Sequence, residues 1–391
     1  MQIYVVREKD TVDIIGRIFS VDPLEIAWAN QIEPPYRLAV GQSLFIPDGG
    51  SREEGESRFR NYEERSMGIR LGGYAYPWID PSVLQETASY LTEISVFSYG
   101  FTEAGDLIFP QEAGENRIIS EARRQGVLPV LVLTPLDSEG RFNNNLISDL
   151  VRNLQVQQRV IRELWKVAQE KGYGEINVDF EYVLAEDRDR FTDFVRRLHT
   201  VMSVFGVRVT VALAPKTSGN QRGLLYEGID YQALGDVADG VFLMTYEWGY
   251  TYGPPMAVAP LNMVRRVVDY AVSVIEPSKI MLGIPNYGYD WPLPYERGVT
   301  KARSLGYTEA VQLAIDHGVP VYYDEKAQSP YFHYWQYGIR HEVWFEDVRS
   351  VQKKFGLVKE YGLAGAGYWQ LMRFFRASWL LADEEFGILR Q

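Results

Sequence analysis

Residues 175–181 read Glu-Ile-Asn-Val-Asp-Phe-Glu. Strand alternation places Asn177, Asp179 and Glu181 on one side and Val178 and Phe180 on the other. On a parallel strand covered on both faces, three polar side chains pointing the same way are costly to bury unless they serve a purpose. Two purposes compete: a structural polar cluster held by hydrogen bonds, or chemistry.

The surroundings favour a strand of a closed parallel sheet. Apolar runs at Gly68–Tyr74, Glu93–Tyr99, Val127–Leu133, Ile176–Phe180, Val207–Ala212, Gly240–Thr245, Lys279–Ile284 and Gly365–Trp369 alternate with amphipathic segments. That alternation is the pattern of parallel α/β architecture. The helix after the fourth run shows it: Phe191, Phe194, Val195, Leu198, Val201, Met202 and Phe205 recur at helical spacing, while Asp189, Arg190, Arg196 and Arg197 fall on the other face. The eight runs predict a (β/α)8 barrel. An open doubly wound sheet is the alternative, but Gly72-Gly73-Tyr74-Ala75-Tyr76-Pro77 does not match the Gly-rich phosphate loop usual there. The long gap between the last two runs, about 290–362, predicts a small α+β insertion with strands near Val319–Asp324 and Ile339–Phe345. Trp335 and Trp344 in it are either lobe core or distal sugar platforms.

Ahead of the barrel, residues 1–48 predict a small βααβ unit. Asp10-Thr11 and Asp22-Pro23 start its two helices, Pro23 standing at a first helical position. Residues 49–67, GGSREEGESRFRNYEERSM, are charged and nearly free of aliphatic side chains, so they predict a flexible linker. The expected division is 1–48, 49–67 and 68–391, with the first unit tethering the third.

Composition narrows the function. A chain of 391 residues suits one large domain plus one small one. The net charge of −12 argues against nucleic acid as a partner. No apolar run approaches the ~18 residues of a membrane span, and the first residues lack the basic start and apolar stretch of a secretory signal. The chain is then expected to stay inside, to be delivered by assembly or lysis, or to have lost a signal. With no cysteine, disulfides and thiolate chemistry are excluded. His199, His317, His333 and His341 form no dense ligand pattern, so neither metal nor other cofactor is expected. The 26 tyrosines and 9 tryptophans supply flat faces for sugar rings, though they also fill cores.

Two resemblances sharpen this. YVVREKDTVDIIGRIFSVDPLEIAWANQI (4–32) and LAVGQSLFIP (38–47) resemble a LysM domain, which implies binding of N-acetylglucosamine oligomers in chitin or peptidoglycan. EINVDFE (175–181) is similar to the DxxDxDxE signature of glycoside hydrolase family 18. With EDR (186–188), FLMTYEWGYTYGPP (242–255), KIMLGIPNYGYDW (279–291) and GAGYWQL (365–371), it resembles the LysM-bearing, spore cortex-lytic N-acetylglucosaminidase branch of that family. The signature's first Asp is Gly174 here and its second is Asn177, departures that weaken a chitinase more than a glycosidase.

The resemblance implies a retaining, substrate-assisted mechanism. Glu181 would be the general acid. Asp179 would orient the substrate's acetamido group and stabilise the oxazolinium ion, with Asn177 donating a hydrogen bond that keeps Asp179 ionised. Tyr246, in the element matching MxYD, would bond the acetamido carbonyl; Met244 and Glu247 flank it, Glu247 replacing the usual Asp. Trp369 would floor the −1 sugar, and Tyr99, Asn286, Tyr287 and Trp291 would line the cleft. The implied partners are peptidoglycan or cortex muropeptides, acted on by a monomer at the spore coat, cortex or cell wall. A chitinase with the same residues, and a catalytically silent wall or spore-coat binding protein, are the rival readings.

Overall fold

The structure, a computed structural model, describes residues 2–48 and 68–388. The expected linker, 49–67, lies outside the described residues.

Residues 2–48 form the βααβ unit. Strands Gln2–Val5 and Ser43–Ile46 pair antiparallel, and helices Val12–Phe19 and Pro23–Ala29 lie between them. Thr11 and Asp22 cap those helices by accepting the N–H groups of Ile14 and Leu24 at 3.2 and 2.8 Å. A small core of Val6, Ile15, Val21, Ile26, Leu44 and Ile46 closes the unit.

The barrel strands are β1 (Gly68–Ala75), β2 (Glu93–Phe101), β3 (Leu128–Leu133), β4 (Glu175–Val178), β5 (Arg208–Leu213), β6 (Gly240–Leu243), β7 (Ile280–Pro285) and β8 (Gly365–Trp369). They pair in parallel in sequence order, and β8 returns to β1 to close the barrel. After β4, helix Arg188–Ser203 buries Phe191, Phe194, Val195, Leu198 and Met202 against it. Val201 and Phe205 were expected in that stripe but stand exposed. Phe205 instead packs on Trp165 of the neighbouring helix, 5.2 Å between ring centroids.

An ionic layer fills the barrel's N-terminal end. Arg70 pairs with Glu93 and, at 2.8 Å, with Glu175. Glu175 also lies 3.5 Å from Arg208 and accepts from the Thr210 hydroxyl at 2.7 Å. Burial drives the Glu93 carboxyl up to about 7 against the pull of Arg70.

Between β7 and β8 a five-stranded antiparallel sheet, mostly 288–344, projects with helix Tyr307–Asp316. The insertion was expected to reach 362, but helix Val348–Tyr361 packs on the barrel helix Leu261–Val274 and on β8 and so belongs to the barrel. Trp344 stacks on Tyr331 at 4.6 Å within the lobe, whereas Trp335 is exposed.

The LysM-like unit does not hang free. Ala29, Ala39 and Phe45 are buried in one continuous core with the barrel and the insertion. Fully burying one phenylalanine contributes about 1.5–3 kcal/mol. Gly41 comes close to the insertion: at φ 85°, a Cβ there would sit 1.9 Å from the Val321 carbonyl oxygen. The first unit is therefore docked on the barrel and the insertion, not structurally independent of them.

Candidate active site

β4 delivers its polar residues to the C-terminal mouth of the barrel, where barrels of this kind carry out chemistry. The Asp179 N–H continues the ladder by donating to the Leu133 carbonyl at 2.9 Å. Phe180 points outward, stacked on Phe194 and Phe191 at 6.0 and 5.7 Å. Its neighbours Asp179 and Glu181 consequently face inward. Asp179 is 8% exposed, and among the described residues its Oδ1 has no hydrogen-bond partner. An unsatisfied buried carboxylate oxygen is expensive, and at the mouth of the barrel it leaves Asp179 open to a ligand's donor.

Tyr246 follows β6. The preceding Thr245 is pinned to β7 by a 2.7 Å bond from its hydroxyl to the Gly283 carbonyl. Gly283 leaves room for the tyrosine, since a Cβ there would lie 2.9 Å from the Tyr246 ring. Glu247 comes next, held by hydroxyls from Tyr287 and, at 2.9 Å, Tyr289. Tyr182 and Glu247 take positive φ, 55° and 66°. Non-glycine backbone in that region is costly and clusters at functional sites.

The electrostatics follow from burial and proximity. Burial, then the charge of Glu181, push the Asp179 carboxyl well above the ordinary range. Burial, then the charge of Glu247, raise Glu181. Glu247 is itself raised by burial, against the two tyrosine hydroxyls. Burial also raises Tyr246 well above its ordinary value, with Asp179, Glu181 and Glu247 acting on it as well. Three carboxylates and a neutral phenol thus share one field. Such a setting favours the protonated form of each carboxyl, which suits an acid that must supply a proton to a leaving group.

Trp369, the last residue of β8, sits in an aromatic cluster with Tyr246. Its ring meets the edges of Phe97, Tyr74 and Tyr76 at 4.8, 5.5 and 6.0 Å. Met244 is half-buried in the same aromatic cluster. Loops after β1, β3, β4 and β6 add exposed rings that the sequence reading passed over: Trp78, stacked on Tyr76 at 4.4 Å, and Phe142, Tyr182 and Tyr252. Loop aromatics at strand ends were the available signal.

Four expected residues sit differently. Asn177 does not serve Asp179: its amide donates to Thr210 at 2.9 Å and its carbonyl accepts from Tyr74 at 3.0 Å. Tyr99 is fully buried and turned toward the helix layer, where it bonds Glu115. Asn286 is spent on the β8 loop, donating to the Gln370 and Arg373 carbonyls. Trp291 is buried, with its indole N–H on the Gly253 carbonyl at 2.9 Å. Tyr287 is nearly buried and meets the site through Glu247. Among the described residues no group of three or more His, Cys, Asp or Glu could hold a metal ion.

Residues 139–373 match the family Glycosyl hydrolases family 18, and residues 4–47 match the LysM domain. Across the whole chain the sequence is similar to the cortical fragment-lytic enzyme of Bacillus subtilis (strain 168): 36% identical, covering 100% of this chain and 99% of that protein. The fold is similar to that of the Bacillus cereus spore cortex-lytic enzyme SleL, with a TM-score of 0.92 and 33% identity over 100% of this chain and 98% of that one. A chitinase from Chromobacterium violaceum is similar over 81% of this chain and 98% of its own, with a TM-score of 0.75 and 27% identity. The family match spans β4 to Trp369, so it includes Asp179, Glu181 and Tyr246; the chain belongs to family 18 of the glycosyl hydrolases and is a glycoside hydrolase with a LysM domain at its N-terminal end.

Proposed function

We propose that this enzyme cleaves β-1,4 bonds after N-acetylglucosamine in spore-cortex peptidoglycan by a retaining, substrate-assisted route. The observation that carries the reading is the buried, unpartnered oxygen of Asp179 beside Glu181 and Tyr246.

In the free enzyme burial penalises charge on both Asp179 and Glu181, which favours their protonated forms. On substrate binding Glu181 keeps the proton and Asp179 the charge. Glu181 protonates the glycosidic oxygen as the bond to C1 breaks. The substrate's own acetamido oxygen attacks C1 from the other face and forms an oxazolinium ion. Asp179 faces the acetamido N–H and offsets its developing positive charge, and Tyr246 bonds the acetamido oxygen. Water, deprotonated by Glu181, then opens the ring with retention. Asn177 has no part in this beyond the scaffold.

The cortex is favoured as substrate because the full-length relatives are named for cortical fragments and spore cortex. On that reading the enzyme works at the spore cortex as a monomer, with residues 1–48 as its glycan-binding unit, 49–67 as the connection and 68–391 as its catalytic part. No described helix is long and apolar enough to cross a membrane. Mass spectrometry of products from defined cortex fragments, run beside chitin oligomers, tests the assignment. New reducing ends should be N-acetylglucosamine. Muramic reducing ends would place the cut at the other bond, and turnover of chitin alone would make it a chitinase.

A further inference from the structure

The loop 370–375 leaves Trp369 and enters helix Arg376–Glu385. Its first half supports the site: Leu371 N–H donates to the Tyr74 carbonyl at 2.9 Å, and the Met372 sulfur accepts from the Tyr76 N–H at 3.4 Å. Its second half is held by the LysM domain. Gln31 donates to the Phe374 carbonyl at 3.4 Å and accepts the Arg376 N–H at 2.8 Å. The Arg376 guanidinium donates to the Trp28 carbonyl at 2.8 Å, lies 4.6 Å from the Trp28 ring centroid, and pairs with Glu86 on the first barrel helix.

A second grip comes through the insertion. The Tyr307 ring stacks on Phe375 at 4.2 Å, and its hydroxyl donates to the Ser43 carbonyl at 3.2 Å and accepts from Gln42 at 3.4 Å. The loop is therefore clamped from both sides by contacts that end on residues 28–43. Only one hydrogen bond or ring contact separates it from Tyr74 and Tyr76, whose rings meet Trp369.

We infer that the LysM domain is a brace for the active-site floor, with Gln31 and Tyr307 as positioning residues for Trp369, so that it contributes to turnover of glycan fragments too short to touch it. This rests on Trp369 lining the −1 sugar. Positioning has leverage, because small displacements of a site's walls translate into large rate losses.

The test uses the full chain and a soluble muropeptide, with kcat and KM measured well below the melting temperature. Gln31→Asn tolerates the positive φ of 55° at this position but is too short for its two bonds. Tyr307→Phe keeps the stack on Phe375 and loses only the hydroxyl. Together they should cost about tenfold in kcat/KM, with Gln31→Glu, which still accepts the Arg376 N–H, costing less than Gln31→Asn. Arg37→Ala, at the exposed pair with Asp316, should match the unmodified enzyme. If the double variant does not fold, Tyr307→Phe alone carries the test. Unchanged kcat and KM beside a lowered melting temperature would make the contacts merely structural. Loss confined to insoluble wall would restore the tether. Either overturns the brace, and an unmodified enzyme inert on the fragment would instead overturn the proposed function.

Discussion

β4 and the residue that follows it carry two kinds of buried carboxylate four residues apart. Glu175, at the closed end of the barrel, is met by Arg70, Arg208 and Thr210. Asp179, at the open end, leaves one oxygen without a partner among the described residues. Both are nearly inaccessible, so burial alone does not separate scaffold from site. Partnership does. A carboxylate whose charge the fold has satisfied holds the barrel together, while one left unsatisfied is available to a ligand.

The first way to break that contrast is Glu181→Gln, which keeps the shape of the acid and removes its proton. Turnover of muropeptides should fall by about 10²–10⁴-fold, with the melting temperature unchanged. Near-normal turnover would remove Glu181 from the chemistry. At the other end of the strand the costs should reverse. Glu175→Gln strips Arg70 and Arg208 of a shared partner, and breaking a buried pair on one side costs on the order of 3 kcal/mol. Denaturant unfolding should show that loss, while the folded fraction retains its kcat. Lost kcat at intact stability would mean that the ionic layer is part of the site.

The smallest effect sharpens the mouth itself. The charge of Glu247 raises Glu181, and a raised acid stays protonated to higher pH. Removing that charge lets Glu181 lose its proton earlier. Glu247→Gln should therefore move the alkaline limb of the pH–rate profile to lower pH. A limb that stays put, or moves up, would show that Glu247 does not tune the acid.

Much of this was legible in the sequence, for reasons that differ by residue. The barrel strands announce themselves because they are buried on both faces, and each was placed to within a few residues. Asp179 and Glu181 follow from alternation against Phe180, whose ring packs outward as expected. Tyr99 shows where alternation fails. The register of β2 against β3 shifts between Val96 and Tyr99, and that bulge turns Tyr99 toward Glu115 when simple counting turns it into the barrel. The bonds of Asn177 were hidden for another reason: its partners, Tyr74 and Thr210, come from β1 and β5, and only closure of the barrel brings them within reach. The docking of the LysM domain was equally invisible. A polar stretch such as 49–67 suggests independence, whereas the contacts of Gln31, Gly41 and Phe45 with the barrel and its insertion depend on the three-dimensional arrangement.

The most direct test of the central claim is the affinity of a thiazoline mimic of the oxazolinium ion, measured by calorimetry for the unmodified enzyme and for Asp179→Asn. The mimic should bind the unmodified enzyme and lose about 100-fold in affinity when the charge that faces it is removed, an effect of the size reported for charge-assisted bonds in a desolvated site. Equal affinity for the two proteins would mean that the unpartnered oxygen of Asp179 is not reserved for the acetamido group.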